Sequence, residues 1–518
     1  MSKEKLELLI KEKYPNIKIE NSFSGNNILT FNLNSQEEIS DKNFKDIELK
    51  EGRYIAFSEL KKKEKNKYAL SFFSFPNEHE YLKYLENINK NANNDHRGIG
   101  KELKIFDFDP LIGAGMPIWL EKGTILKKEI TNYVNQIQKK HGILLVTTPE
   151  LGRKELYQCS GHWDHYKENM FPPLSLDEND EYVLRPMTCP HHIILYKKQK
   201  WSEKQLPIAY GENAKLYRYE SSGGLFGLER NRCMELIDTH IFCTQNQINL
   251  CLEKIWGIIQ DIKKAFEIEY DSVILSLRDI QDKKKFFDCD ELWKTAEGEL
   301  RKFLENKQVN YQEGIGDAAF YGPKIDFQIK TYIGKIITIS TIQLDFLLPR
   351  RFKLKYLNEA QQEDTPIMIH LGIVGTLERF VAYLLERDNG WLPFWLSPTQ
   401  ITLIPLNKEK HLEGAQKLAD YYRFKNIRVE IDSSDLSLAK KIAKAVDKKS
   451  YGFMVIGDKE LEKINVANEK ELIEIAEKHW KAQMINISKS RNKELNNKLS
   501  EERYPIEHMD FLRWASEK

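Results

Sequence analysis

The first 95 residues have two stretches of helical apolar spacing on either side of an alternating run. KLELLIKEKY predicts a short helix, and NSFSGNNILTFNLN places turn residues before the alternating apolar positions typical of strands. HEYLKYLENINKN, residues 79–91, again has helical spacing and ends in the polar cluster NANND, which predicts a boundary near residue 95. Residues 1–95 are therefore expected to form a small N-terminal α+β region of unassigned role.

Residues 96–396 combine a few helical patterns with many apolar runs of strand length. GTILKKEITNYVNQIQKKHG has Ile125, Ile130, Val134 and Ile137 near one side and Gly142 after its end, which predicts an amphipathic helix. ILLVTTPEL predicts a buried strand, and further strands are predicted in KLYRYES, THIFCT, KIDFQIKTYIGKIITISTIQLDFLL and PIMIHLGIVG. Because helices are few, we expect an antiparallel sheet whose strands pair mostly in sequence order.

The end of the chain changes to a different pattern. Residues 397–488 alternate strand and helix, which predicts a small α/β domain with a largely parallel sheet. Residues 489–518 are a charged tail with one apolar patch, HMDFLRWA. A length of 518 residues is consistent with about three domains at roughly 150 residues each.

Charge and cysteine usage narrow the class of protein. Lys and Arg number 79 and Asp and Glu 78, a net charge of +1, which argues against a general nucleic-acid condenser but permits local basic faces. The six cysteines form no CxxC pair, which favours a reducing, cytoplasmic location. The charged N-terminus has no apolar h-region, and no apolar run is long enough to span a membrane.

Three arginines lie in segments whose patterns leave them free to face a binding site. Arg218 lies two residues from Glu220 in KLYRYES, so on a strand both side chains point to one face, as a phosphate clamp or as a surface ion pair. The glycines around Arg230 in SSGGLFGLERNR favour a mobile hairpin. Arg379 falls opposite the apolar stripe of its predicted helix and faces either a site or solvent. The stripe consists of Leu377, Phe380, Val381 and Leu384.

Several motifs in order identify a family. HGILLVTTPEL, YRYESSGGLFGLERNR, DTHIFCT and GIVGTLERF resemble the three signature motifs of class II aminoacyl-tRNA synthetases. With RPMTCPHH and FYGPKIDF added, the chain resembles the threonyl-tRNA synthetases, closely over about residues 80–400 and loosely over 400–488. The resemblance implies an α+β fold: an antiparallel-sheet catalytic domain over residues 96–396, then an α/β anticodon-binding domain over 397–488. It also implies a homodimer formed across the first motif, around Pro149.

The resemblance assigns an ATP site. Arg218 matches the arginine that holds the α-phosphate, Arg379 the one that holds the γ-phosphate, and Arg230 the second ATP-binding arginine of its motif. Lys324 matches the lysine that assists adenylation, and Mg²⁺ accompanies the nucleotide. Glu220 and Met234 complete the expected ATP-binding residues. The family often has an aromatic residue at the position of Met234, and methionine can still pack against a purine face.

The resemblance also gives Cys189 a role that its spacing does not. By spacing alone, a lone cysteine is most often a small buried hydrophobe. In this family one cysteine and two histidines bind zinc, and Cys189, His240 and His370 match them. Three protein ligands leave an open position, which the family uses for the amino group and hydroxyl of threonine. The neighbouring His191 and His192 match no ligand and are interpreted as helix-start residues.

Further matches surround the expected zinc site. Asp238 matches the aspartate that accepts a hydrogen bond from the threonine hydroxyl, and the expected pocket residues are Met187, Tyr321 and Gln343. His162 matches a histidine linked to aminoacyl transfer, although a partly exposed strand-end histidine is the simpler interpretation. Leu236 stands where the family often has glutamine, so one polar contact of the pocket is missing. In the last domain, EKINVANEKELIEI replaces the usual arginine-rich end, and the lysines at 440, 444 and 448 face either phosphates or solvent.

These matches imply an enzyme that joins L-threonine to tRNA(Thr) with ATP, releasing AMP and pyrophosphate. Two alternatives are an inactive tRNA-binding paralogue and a class II synthetase for another amino acid, such as the prolyl or seryl type. Retention of both phosphate arginines, Lys324 and all three zinc ligands argues against the first. The set Cys189, His240 and His370 argues against the second.

The chain is expected not to hydrolyse Ser-tRNA(Thr) by itself. Serine keeps both groups that zinc binds and lacks one methyl, a difference of only ~1–3 kcal/mol. The family usually corrects this error with an N-terminal editing domain bearing HxxxH, a Cys and a His. Here the first 158 residues hold no cysteine, and His79, His96 and His141 do not stand at that spacing. Mischarging or a separate hydrolase is therefore expected.

Deacylation of preformed Ser-tRNA(Thr) by the purified chain measures this directly. We expect the spontaneous rate. A clearly faster rate would place an editing site within residues 1–95.

Overall fold

The computed structural model describes residues 2–25, 28–35, 54–64, 67–75, 79, 95–177, 180–283, 285–331 and 334–466. The helix predicted at 79–91 and the tail at 489–518 lie outside these residues, apart from residue 79. No helix within them is long and apolar enough to cross a membrane. The chain divides into two compact units: residues 1–97, 108–118 and 131–387 form the first, and residues 98–107, 119–130 and 388–518 the second.

The N-terminal residues form the helix and strands that their pattern predicts. The helix Ser2–Lys13 is followed by the strands Lys18–Gly25, Ile28–Asn34, Tyr54–Glu64 and Lys67–Phe75. The strands pair antiparallel in the spatial order first, second, fourth, third. Leu6 and Ile10 of the helix pack in one buried cluster with Phe31 and Phe72, whose rings meet edge to face at 6.3 Å. This burial is what holds the small sheet to its helix.

An eight-stranded sheet forms the centre of the first unit. In spatial order its strands are Gln312–Ile315, Ser272–Leu277, Lys324–Lys330, Ile336–Asp345, Ile367–Thr376, Cys233–Cys243, Ile208–Tyr217 and Leu144–Leu145. Neighbouring strands are antiparallel except for the outermost pair at each edge, which is parallel. The predicted antiparallel sheet is confirmed. The expected pairing in sequence order is wrong at the centre, where Cys233–Cys243 pairs with Ile367–Thr376.

The remaining elements of residues 96–387 are helices and short strands, some of which belong to the second unit. The helices are His96–Glu102, Glu121–Lys140, Lys154–Ser160, His162–Tyr166, Cys189–Lys197, Ile248–Ala265, Asp290–Asn306, Leu348–Arg351 and Leu377–Arg387. The short strands are Phe106–Asp107, Ile118–Trp119, Leu151–Arg153, Leu174–Asp177, Asp180–Leu184, Tyr356–Leu357 and Glu363–Asp364. The predicted amphipathic helix is Glu121–Lys140, although Leu126 rather than Ile125 is among its buried residues.

Two predicted strands end earlier than their apolar pattern suggests. ILLVTTPEL contributes only Leu144–Leu145 at an edge of the sheet, and Leu144 is 51% exposed, so the expected buried strand is wrong. The strand predicted in KLYRYES stops at Tyr217. Arg218 and Glu220 therefore follow the strand in irregular backbone, and the alternation argument for their common face does not apply.

The second unit contains the predicted parallel sheet. Its strands Val429–Ile431, Ile401–Pro405 and Gly452–Ile456 lie in that spatial order, with Ile401–Pro405 at the centre. The helices are Lys408–Phe424, Leu438–Asp447 and Asp458–Val466. Lys444 pairs with Asp432 at 3.1 Å and Lys448 with Glu430 at 2.8 Å. These carboxylates offset the two lysines, which weakens the case for a phosphate-binding face.

Leucines at 403 and 406 form a matched pair for testing this core. Leu403 is fully buried on the central strand, whereas Leu406 is 54% exposed just after it. We expect Leu403→Ala to lower the free energy of unfolding by ~2–5 kcal/mol, because it leaves a cavity. Leu406→Ala should change it by less than ~0.5 kcal/mol.

Urea denaturation followed by far-UV circular dichroism measures both leucine variants. Equal shifts in the two midpoints would contradict the assigned core.

Candidate active site

Three side chains from distant parts of the sequence converge beside the centre of the large sheet. Cys189 begins the helix Cys189–Lys197, and His240 and His370 lie directly opposite each other on paired strands. Their potential ligand atoms all lie within 4.8 Å of one another, and all three residues are buried. One thiol and two imidazoles are donors that zinc prefers, and a three-ligand set suits a site with an open position. The residues present therefore fit a zinc ion.

Each histidine of this set contacts a further polar side chain. His370 Nε2 lies 3.0 Å from Asp345 Oδ2. His240 Nδ1 lies 2.8 Å from His192 Nδ1, and His192 Nε2 lies 3.1 Å from Glu212 Oε2. His192 lies in the first turn of the helix Cys189–Lys197, as predicted, but its contact with His240 was not predicted. The signal was its spacing, because residues three apart on a helix share a face and His192 follows Cys189 by three.

The expected pocket residues surround the same three side chains. Asp238 is two residues before His240 on one strand, and burial raises its pKa above the ordinary value. Tyr321 lies 5.3 Å from the His370 ring, centroid to centroid. Its pKa is also raised by burial and by the nearby Cys189 and Asp345. Gln343 is paired with His370 in the sheet and donates to the carbonyl of Gly322 at 3.2 Å.

His162 contacts the cysteine of this set. It begins the short helix His162–Tyr166 and is 1% exposed, so the interpretation as a partly exposed strand-end residue is wrong. Its Nε2 lies 3.7 Å from Cys189 Sγ and its Nδ1 lies 2.7 Å from Ser160 Oγ. Burial, with the charges of His370 and Arg218, lowers its pKa to about 3. The imidazole is therefore neutral at physiological pH.

The predicted phosphate arginines form a second cluster. Arg230 bonds to Glu220 through Nε at 2.9 Å and Nη2 at 2.8 Å. Arg379 donates from Nε to the carbonyl of Glu229 at 3.3 Å. Burial lowers the pKa of Arg379, the charge of Glu229 opposes this, and Arg218 and Arg230 lower it further. Arg379 thus faces a charged cluster and not open solvent.

Arg218 links the two groups. It donates to the carbonyl of Pro186 at 3.3 Å, and its Nη2 lies 3.6 Å from the sulfur of Met187, in the segment that leads to Cys189. Met234, near the start of the strand Cys233–Cys243, packs with Leu216 on the neighbouring strand Ile208–Tyr217. Lys324 pairs with Asp326 and lies opposite Gln343 in the sheet. Arg218 thus lies near Met187 and acts electrostatically on both Cys189 and Arg379, whereas Met234 and Lys324 contact other residues of the large sheet.

The hairpin between the strands Ile208–Tyr217 and Cys233–Cys243 is bonded to His96, a contact that the sequence did not suggest. His96 is fully buried, accepts a hydrogen bond from the backbone N–H of Leu228 at 3.0 Å, and lies 2.6 Å from Glu386 Oε1. Gly227 has φ +47°, and a Cβ there would lie 2.2 Å from His96 Nε2. His96, Glu386 and Asp95 also place their potential metal-ligand atoms close together. Asp95 is already bonded to Arg97 at 2.8–3.0 Å, so this set is a hydrogen-bonded anchor.

Family models match both parts of the chain. Residues 166–388 match the class II core domain of tRNA synthetases for G, H, P, S and T, and residues 400–500 match an anticodon-binding domain. The fold and these matches define a class II aminoacyl-tRNA synthetase core with an anticodon-binding domain.

Curated relatives specify the family. A threonine--tRNA ligase of Mycoplasma pneumoniae is 48% identical over 384 residues, which cover 74% of this chain and 68% of that protein. The chain belongs to the threonyl-tRNA synthetase family. A threonine--tRNA ligase of Mycoplasma genitalium is 47% identical over 370 residues, and the match covers 71% of this chain and 65% of that enzyme's length.

Solved structures agree with this fold. A chain described as the RNA binding domain of threonyl-tRNA synthetase from Cryptosporidium parvum matches with a TM-score of 0.66 and 33% identity. The match covers 71% of this chain and 91% of that one. A Giardia lamblia prolyl-tRNA synthetase in complex with prolyl-adenylate matches with a TM-score of 0.57, covering 72% of this chain and 71% of that one. At 17% identity it supports the fold alone.

Proposed function

We propose that this protein is a threonine--tRNA ligase, which activates L-threonine with ATP to threonyl-adenylate and transfers it to tRNA(Thr). The observation that carries the proposal is the convergence of Cys189, His240 and His370 beside the cluster of Arg218, Arg230 and Arg379. A metal site that binds an amino acid, next to a phosphate site that binds a nucleoside triphosphate, would fit a reaction between these two substrates.

The arginine cluster supports binding of ATP with Mg²⁺. Arg218 is assigned to the α-phosphate and Arg379 to the γ-phosphate, because planar guanidinium groups bind phosphate oxygens in pairs of hydrogen bonds. Arg230 and Glu220 are assigned to the nucleotide, and Met234 to the adenine face. Lys324 is assigned to stabilise the negative charge that develops when the threonine carboxylate attacks the α-phosphorus. Positive charges held in a largely buried site stabilise that charge more than they do in water.

The cluster around Cys189, His240 and His370 supports binding of threonine. These three residues would hold a zinc ion, whose open position supplies a Lewis acid for an amino group and a hydroxyl oxygen. Asp238 is assigned to accept a hydrogen bond from the threonine hydroxyl. Met187, Tyr321 and Gln343 are assigned to the walls of the pocket. Valine, nearly isosteric with threonine, has no side-chain oxygen to offer such a site and is excluded.

His162 is assigned to the transfer step. Its imidazole lies beside Cys189, with Nε2 3.7 Å from the sulfur. Its position next to the threonine pocket supports this assignment over a purely structural one.

The assembly and location complete the proposal. We place the catalytic domain at residues 96–396, the anticodon-binding domain at 397–488, an N-terminal region at 1–95 and a tail at 489–518. A homodimer across the segment around Pro149 is supported by the exposed leucines Leu144 and Leu151, at 51% and 40% exposure. The absence of paired cysteines among the described residues supports a cytoplasmic location.

Threonine-dependent ATP–pyrophosphate exchange tests the proposed activity. Exchange with threonine well above that with serine, and none with proline, is the expected result. Exchange that depends on proline would support a prolyl-type enzyme, and no exchange with any amino acid would support an inactive paralogue.

Arg379→Ala should raise the ATP KM and lower the exchange rate by about 10²–10³-fold, because a charged contact to phosphate is lost. The fold should survive, since Arg379 lies off the apolar stripe of its helix. Arg387→Ala is the matched control, because Arg387 is on the same helix and its Nη1 donates to the carbonyl of Phe266 at 2.6 Å. Unchanged exchange in Arg379→Ala would contradict the assignment.

Cys189→Ser should abolish both zinc binding and threonine activation, since one of three metal ligands is lost. Elemental analysis of the wild-type protein should find about one zinc per chain. Cys251→Ser is the control, because Cys251 is also buried but lies outside the site, on the helix Ile248–Ala265. A fully active preparation without zinc would exclude the proposed metal site.

A further inference from the structure

A buried chain of hydrogen bonds leads from Glu212 to the candidate metal ligand His240. Glu212 Oε2 lies 3.1 Å from His192 Nε2, and His192 Nδ1 lies 2.8 Å from His240 Nδ1. All three residues are at most 2% exposed. Imidazole has two distinct ring nitrogens, so each link in this chain fixes which nitrogen carries a proton.

The Glu212 carboxylate is held in its charged form. Burial acts to raise its pKa, but hydrogen bonds with His192 and Thr148 and the charge of Arg185 outweigh burial and bring it to about 2. Its Oε1 accepts from the Thr148 backbone at 3.1 Å and from Arg185 Nη2 at 3.0 Å. Its Oε2 accepts from the Thr148 hydroxyl at 2.7 Å. An ionised carboxylate only accepts hydrogen bonds, so His192 Nε2 must donate to it.

The proton on His192 Nε2 determines where the other imidazole protons of this chain lie. With its proton on Nε2, a neutral His192 presents a bare Nδ1, which can only accept. His240 must then donate from Nδ1, which leaves its Nε2 unprotonated. An unprotonated imidazole nitrogen is the form that binds a metal. The chain of bonds therefore prepares one named atom, His240 Nε2, as a ligand.

Asp345 fixes the proton of His370 directly, with no residue between them. Its Oδ2 lies 3.0 Å from His370 Nε2, and its Oδ1 accepts from the backbone N–H groups of Leu347 and Leu348 at 2.8 and 2.9 Å. The two backbone bonds fix the carboxylate, whose other oxygen accepts the His370 Nε2 proton. His370 Nδ1 is left bare.

We propose that Glu212, acting through His192, and Asp345 are positioning residues that fix the tautomers of His240 and His370, so that His240 Nε2 and His370 Nδ1 are the metal-binding atoms. This inference rests on the proposed zinc site. Outer partners of metal-bound histidines orient the ring and raise its basicity, and their loss typically costs roughly 10–100-fold in metal affinity.

Glu212→Gln and Asp345→Asn reverse the direction of the bonds with little change in shape. The new amide oxygen is expected to take the place of Glu212 Oε1, which accepts from Thr148 N–H and Arg185, or of Asp345 Oδ1, which accepts from two backbone N–H groups. Each exchange turns the NH₂ toward the histidine. The histidine nitrogen must then accept, and the protons along the chain move onto the metal-binding atoms. Zinc affinity, measured by competition with a chelator of known affinity, should fall roughly 10–100-fold in each variant.

Substitutions at His192 separate its hydrogen bond from its bulk. His192→Asn keeps an acceptor near the position of Nδ1 and should retain most of the zinc affinity. His192→Gln moves the amide toward Glu212, loses the bond to His240 and should weaken binding like Glu212→Gln. His191→Gln is the matched control, because His191 is also buried but bonds to the Tyr157 hydroxyl at 3.0 Å.

These measurements distinguish the inference from the zinc site on which it rests. A wild-type protein without zinc affinity would overturn both. A zinc-binding wild type with unchanged affinity in Glu212→Gln and Asp345→Asn would overturn the inference alone, as would equal losses in His192→Asn and His192→Gln. Far-UV circular dichroism checks that each variant is folded, and Asp345→Asn tests the second histidine if the variants near Glu212 do not fold.

Discussion

The antiparallel pairing of the strands Cys233–Cys243 and Ile367–Thr376 is the constraint on which the site depends. It places His240 opposite His370 although 130 residues separate them in sequence. A slip of one residue in this pairing would turn either histidine to the other face of the sheet. The buried apolar residues of both strands, such as Ile241 and Ile369, which are also opposite each other, hold the register because slippage would expose them to water. The chemistry of the pocket is thus secured by ordinary packing.

The cost of burying charge explains the arrangement around that pairing. Arg185 and Glu212 are each 2% exposed and 3.0 Å apart, and an isolated charge so deep would be strongly unfavourable. Each is satisfied by further partners, including Thr148. The network joins the first signature segment to the candidate zinc ligands, so the segment expected at a dimer interface and the proposed threonine pocket share one set of hydrogen bonds.

Sequence patterns predicted those parts of the fold that local forces determine. Helices such as Ser2–Lys13 and Leu377–Arg387 have regular apolar spacing, and the motifs named Cys189, His240 and His370, whose potential ligand atoms lie within 4.8 Å of one another. The order of strands in the large sheet could not be read, because it is set by contacts between distant segments. The exposure of Leu144 was missed because an edge strand has the apolar composition of a central one, and the strand Ile208–Tyr217 ends before its sequence pattern does. The spacing of three placed His192 on the helix face of Cys189, but its partners Glu212 and His240 come from distant segments of the chain.

The anchor formed by His96 and Glu386 divides the glycine-rich hairpin into two unequal parts. The tip at Gly227 and Leu228 is fixed from outside the hairpin, whereas the residues Ser221–Gly224 are bonded within it, for example through Ser221 and Gly224. Displacing Leu228 would break a hydrogen bond to a fully buried imidazole and leave a buried nitrogen without its partner. Any rearrangement of the hairpin around a nucleotide would therefore cost least where it leaves Gly227 and Leu228 in place.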